Sequence, residues 1–146
     1  MNPDRQRAFS LIEVLIAITI IAVLASLATP AWRDYLHATR RLDATSALLH
    51  LAARQEQFRL QHLRYAINSE LSLAPPNGLG ISNSPADHYR LAIQIDGQNF
   101  SATATVAADG HQATDRDCWV FSLDAQGQRG SVAADGRDTS ALCWRD

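Results

Sequence analysis

The sequence predicts an α+β fold, with one long N-terminal helix packed on an antiparallel β-sheet meander. Three observations predict it. From Leu11 to Leu63 there is no Gly and only one Pro, Pro30, and good helix formers dominate. The following stretch, Asn68–Asp87, is crowded with Pro75, Pro76, Asn77, Gly78, Gly80, Asn83, Ser84 and Pro85, and reads as loop. From Tyr89 onward, short runs alternate apolar and polar residues between turn signals.

The first half of the helix is unusual. Val14–Ala28 carries no charge, and Leu11 and Ile12 extend the apolar run past Glu13. A helix of this length spans roughly 27 Å, close to the ~30 Å hydrocarbon core of a bilayer. Asp4, Arg5 and Arg7 make the preceding residues short and net positive, which keeps them cytoplasmic and places everything after Pro30 across the membrane. Three readings compete. A cleaved secretory signal would use Ala25-Ser26-Leu27-Ala28 as its cleavage site. A single-span anchor explains the length. A buried core helix requires more covering surface than the rest of the chain offers.

Glu13 discriminates between them. A carboxylate within a span costs about 2.5–3.5 kcal/mol on insertion scales, so it calls for a partner and a function. No basic residue follows it inside the span. One candidate cation is a new amino terminus made by proteolysis, since Ala8-Phe9-Ser10-Leu11-Ile12 runs directly into Glu13.

The run Ala8-Phe9-Ser10-Leu11-Ile12-Glu13-Val14-Leu15-Ile16-Ala17 resembles the class III signal of type IV prepilins and type II secretion pseudopilins. The resemblance implies that a membrane peptidase cuts between Ala8 and Phe9 and methylates the new amino group of Phe9. It implies that the uncut helix serves first as membrane anchor and then as filament core. Glu13 would then meet the Phe9 amine of a neighbouring subunit, and Pro30 would kink the helix. One departure is Ala8, where the family usually has Gly.

Ala31–Leu63 continues as helix. Tyr35, Ala38, Leu42, Leu49, Leu60 and Leu63 fall on one stripe, which suits packing against the sheet. Leu36, Leu51 and Phe58 fall on a different face, which either widens the core stripe or packs against other subunits. The block Ala52-Ala53-Arg54-Gln55-Glu56-Gln57-Phe58, with Tyr65 beyond it, resembles the minor pilin subgroup, in which such a stretch and a following aromatic close the long helix.

Four strands follow. Tyr89–Ile95 alternates, Asp96-Gly97 signals a hairpin, and Asn99–Val106 alternates again. Trp119–Leu123 is a third strand, and Gly130–Ala134 a weak fourth after Gln126-Gly127-Gln128. Cys118 and Cys143 lie beyond the span, where a disulfide is permitted. The contexts Cys118-Trp119 and Cys143-Trp144-Arg145 resemble the disulfide-bounded C-terminal loop of type IV pilins. Zinc is a poor alternative, because these cysteines lack a His partner set. Asp117, Asp135 and Asp138 match no EF-hand spacing, which leaves calcium a weak reading.

Composition excludes several classes. With 47% apolar and 19% charged residues the chain is not wholly disordered. A net charge of −2 over 146 residues excludes a strongly basic nucleic-acid binder at whole-chain level. All thirteen basic residues are Arg, which reads as composition bias. The helix beyond Pro30 is net positive, whereas Asp87–Asp146 holds five Arg against nine acids, so opposite-signed halves favour contacts between copies. No nucleophile elbow, P-loop or metalloprotease motif is present, and His37, His50 and His62 do not share a face. The chain is not expected to be an enzyme, and neither cofactor nor metal is called for.

The resulting layout is a leader at 1–8, a membrane and filament-core helix at 9–30, and a globular pilin domain at 31–146. The expected function is a minor structural subunit of a type IV pilus, assembled into or priming the filament, in adhesion, twitching motility or DNA uptake. The alternatives are a type II secretion pseudopilin and a DNA-binding minor pilin. Expected partners are other pilin subunits, the prepilin peptidase/methyltransferase, inner-membrane assembly machinery, and lipid before assembly. DNA ranks lower, because the C-terminal half is acidic. The expected location is a single pass in the inner membrane with a periplasmic domain, then an extracellular pilus.

Overall fold

The structure is a computed structural model that describes residues 10–144, with the side chains of residues 28–31 outside the description. The leader, the Ala8–Phe9 junction and the Pro30 side chain therefore lie outside the described residues. Helix α1 runs over Leu11–His62. The chain divides into two compact units, Met1–Leu36 and His37–Asp146.

In the first unit, α1 is exposed at every described position from Leu11 to Leu27. Its polar side chains turn back on the helix. The Thr19 hydroxyl donates to the Leu15 carbonyl at 2.8 Å, and the Ser26 hydroxyl donates to the Val23 carbonyl at 2.7 Å. These bonds satisfy the hydroxyls without water, as a hydrocarbon environment demands. The helix is long and apolar enough to cross a membrane.

In the second unit, four strands form an antiparallel meander in the order β1-β2-β3-β4. They are β1 Tyr89–Asp96, β2 Asn99–Val106, β3 Val120–Asp124 and β4 Arg129–Val132. Asp96 pairs with Asn99 around the two-residue loop Gly97-Gln98, where Gly97 has φ 59° and so meets the turn's need for a left-handed residue. The register stacks Tyr89, Leu91 and Ile93 beside Val106, Ala104 and Ala102, and those beside Phe121 and Leu123. All eight are buried in one core with Ala44, Ala47, Leu48, Leu51 and Phe58 of α1. Alanines at the centre of both surfaces leave room in this core for the larger Leu48, Tyr89 and Phe121, all fully buried.

This core lies under the second stripe and not under the one expected to meet the sheet. Leu51 and Phe58 are buried, whereas Leu42, Leu49, Leu60 and Leu63 are 62%, 48%, 80% and 92% exposed. Both faces are apolar at helical spacing, so periodicity alone does not say which one the sheet covers. The small Ala44 and Ala47 mark the covered face, because a large side chain there would hold the helix off.

Segment 68–87 has little regular structure, with one 3-10 turn at Asn68–Glu70. It is nevertheless pinned. Asp43 of α1 accepts from the Ser84 hydroxyl and from the Ala86 backbone N–H. Leu71, Leu79 and Ser84 are buried. A second 3-10 turn, His111–Thr114, lies between β2 and β3. The short helix α2, Ser140–Cys143, closes the described chain.

Candidate functional site

The functional surfaces begin on α1. Glu13 stands in its first turn, exposed, with its backbone N–H bonded to the Ser10 carbonyl at 3.0 Å. In the second unit the outer face of α1 carries Thr39, Leu42, Ser46, Leu49, Ala53 and Leu60, all exposed. Most neighbours in this series are three or four residues apart, so they form one seam opposite the buried face. An apolar seam of this kind suits another helix.

The end of α1 is held by the residues that the helix-closing block contains. Gln55 is fully buried. Its amide donates to the Ala66 carbonyl at 2.9 Å, and its carbonyl accepts from the Ala66 N–H at 2.8 Å. Tyr65 donates to Glu56 at 2.7 Å, and Arg59 donates to the same carboxylate at 2.8 Å. These two donors hold the Glu56 carboxyl below its ordinary range. Arg64 grips Glu70 through two nitrogens at 2.6 and 2.7 Å. The guanidinium bonds outweigh the effect of burial, and with the Ile67 N–H they bring the Glu70 carboxyl down to about 2. A depressed carboxylate stabilises the fold above its unfolded pKa, and that contribution is lost as pH falls through the folded one. Acid unfolding should therefore include a component between pH about 4.5 and about 2 that Arg64→Gln removes, as a pH series of melting temperatures would show.

At the other end of the unit, α1 meets the turn between β2 and β3. Arg41 binds Asp115 in a fork at 2.7 and 2.8 Å, and the Gln112 amide donates to Asp115 at 2.8 Å. His37 stands 3.4 Å from Gln112 and 3.5 Å from Thr114. Burial pushes the Asp115 carboxyl up, but the Arg41 hydrogen bonds and charge outweigh it, so the net shift is downward. Nothing local in the sequence marks this pair, which joins residues 74 apart.

Cys118 and Cys143 form a disulfide that ties the entry to β3 to helix α2. Beside it the Trp144 indole N–H donates to the Gly130 carbonyl at 2.7 Å, and Arg129 lies 5.3 Å from the Trp144 ring centroid. Asp117 and Asp135 both face Arg137, at 3.5 and 2.8 Å, while Asp138 bonds Ser140. These three acids thus point at cations and a hydroxyl, and among the described residues no group of three or more His, Cys, Asp and Glu comes together to hold a metal. His62 bonds the Pro76 carbonyl at 2.9 Å, and His50 is exposed. No catalytic constellation forms from these groups.

A sheet-backed helix with one bare apolar seam and an apolar, uncovered N-terminal half is the layout expected of a filament subunit. The family model for "Type IV minor pilin ComP, DNA uptake sequence receptor" matches residues 30–122. The chain belongs to this family. A second model, the prokaryotic N-terminal methylation motif, matches residues 3–29 of this minor pilin. Among curated relatives, the type IV major pilin protein PilE1 of Neisseria gonorrhoeae is 30% identical over 110 residues, which is 72% of the minor pilin and 60% of that relative. A fimbrial protein of Dichelobacter nodosus is 31% identical over 104 residues, 71% and 61% of the two chains. The type II secretion system core protein G of Pectobacterium carotovorum subsp. carotovorum is 32% identical over 136 residues, 82% of this chain and 87% of that one. The minor pilin thus spans about three fifths of the length of PilE1 and of the fimbrial protein.

Proposed function

We propose that this chain is made as a prepilin, cut between Ala8 and Phe9, N-methylated on Phe9, and assembled as a minor pilus subunit that takes part in DNA uptake. Before assembly the helix at 9–30 anchors it in the inner membrane, and the domain at 31–146 faces the periplasm. Glu13 then pairs with a neighbour's Phe9 amine, which sets the axial register, and Pro30 bends the helix between anchor and domain. The carrying observation is the seam at Leu42 and Leu49, an apolar helix face left 62% and 48% exposed by its own chain. The family description supports the DNA role. The acidic balance of the C-terminal half weighs against that role, and Asp115 is the acid of that half that meets a cation from outside it, Arg41.

The test uses sheared filaments. Leu42→Asp with Leu49→Asp should leave the protein folded and in the membrane. Its incorporation into filaments should fall at least about tenfold, since a carboxylate buried between helices costs more than the 1.4 kcal/mol per decade. DNA uptake should fall with it. Mass spectrometry of the wild-type filament protein should show an N-methylated Phe9. Unchanged incorporation, or an intact leader, would sink the proposal. A secretion pseudopilin is the second reading, favoured by the likeness to core protein G. Exported enzymes accumulating in a deletion strain that still takes up DNA would select it.

A further inference from the structure

The assembly and DNA readings leave one feature of the second unit unused. A groove of about 490 Å³ opens where α1 ends, bordered by Leu60, Leu63, Ile67 and Ile95 and by Arg59 and Arg64. Three properties of this groove point the same way.

The first is its apolar rim. Leu60 and Leu63 are 80% and 92% exposed, with Ile67 and Ile95 at 47% and 39%. Leu63 also has φ 58°, a left-handed conformation usually given to Gly or Asn where a helix ends. Either of those residues would fit the backbone with less strain and leave less apolar surface in water. The second property is an open strand edge. On the outer side of β1 the Leu91 N–H donates to the Ser82 carbonyl at 3.1 Å, and the Ile93 N–H donates to the Asn68 side chain at 2.9 Å. Alternation along an antiparallel strand turns the Ile95 N–H and C=O to that same side. Among the described residues nothing takes the place at Ile95 that Ser82 and Asn68 take before it. The third property is charge. The lining holds two guanidiniums and no carboxylate, and both remain half-exposed beyond their pairing with Glu56 and Glu70.

We propose that this groove binds an extended, aliphatic and acidic segment of a partner protein, which adds as a short strand to β1 at Ile95. Backbone bonds to the open edge would set its direction. Aliphatic side chains would cover Leu60, Leu63 and Ile67, and carboxylates would meet Arg59 and Arg64. A lipid or a nucleic acid would use the charge but leave the strand edge unpaired.

The probe is a labelled short peptide alternating valine and glutamate, added to the full chain in lipid nanodiscs and followed by fluorescence anisotropy. Binding should weaken at least about tenfold when the peptide's amides on one edge are N-methylated, or when lysine replaces glutamate. Leu63→Asn should weaken it about as much, while melting temperature holds or rises because Asn suits the left-handed backbone. Together these results support the proposal. It is overturned if the peptide does not bind or binds empty discs equally well. It is overturned too if N-methylation or Leu63→Asn leaves affinity unchanged, or if a second copy of the chain occupies the groove and excludes the peptide.

Discussion

Asp115→Ala should destabilise the globular unit by about 3 kcal/mol, the range seen when one member of a buried ion pair is removed. The Asp115 side chain is only 3% exposed and that of Arg41 19%. Truncation leaves the guanidinium without its two-pronged partner and strands the Gln112 amide. A loss of this size should lower the melting temperature by more than 10 °C in a unit of about this length. The expected pH dependence has a definite sign. Because the folded pKa of Asp115 is lowered, the pair stabilises at pH above the ordinary carboxylate range and loses that contribution as pH falls below it. Joint replacement by Arg41→Met and Asp115→Leu should cost much less than Asp115→Ala, because no charge is then left unpaired. Thermal melts of the two variants beside wild type check this. If the single variant melts within a few degrees of wild type, the pair does not hold α1 to the turn between β2 and β3.

Removing the disulfide should have an effect of similar size. Cys118 and Cys143 are separated by 25 residues, and closing a loop of that length stabilises by about 3 kcal/mol in the chain-entropy model. The double variant Cys118→Ala with Cys143→Ala tests this without leaving a free thiol. The damage should start locally. The disulfide holds helix α2, and Thr139 bonds the Asp117 carbonyl at 2.8 Å across the same junction. Trp144 packs on Phe121 with ring centroids 5.9 Å apart. Loss of the Trp144 near-ultraviolet signal before global melting is the expected signature. Coincident loss of both signals, or a total effect below about 1 kcal/mol, would show that packing alone secures α2.

Much of the fold was legible because its signals are local. The alternation in Tyr89–Ile95 and Asn99–Val106 and the Asp96-Gly97 turn placed the first hairpin within one residue of its observed bounds. The third and fourth strands were displaced by a residue or so, Val120–Asp124 against Trp119–Leu123 and Arg129–Val132 against Gly130–Ala134. Strand ends depend on pairing partners as much as on their own residues. No local signal marks the turn His111–Thr114, because its role is to deliver Gln112 and Asp115 to a helix far away in sequence. The Gln55–Glu56 block was visible as a helix-closing motif. Its means, a buried amide clamped on Ala66, needed the path of the returning chain.

By itself, the sequence determined the apolar N-terminal helix, the order of the elements and the family, because those rest on composition, short-period patterning and a contiguous motif. Tertiary structure decided which face of α1 the sheet covers. Ala44, Ala47, Leu51 and Phe58 lost their water, and Leu42, Leu49, Leu60 and Leu63 kept theirs. Two apolar stripes on one helix are equivalent until a third surface chooses between them. The same holds for Arg41 with Asp115 and for the groove at Ile95. Each is made by residues that only the packed chain brings together, and no local pattern encodes a contact across 74 residues.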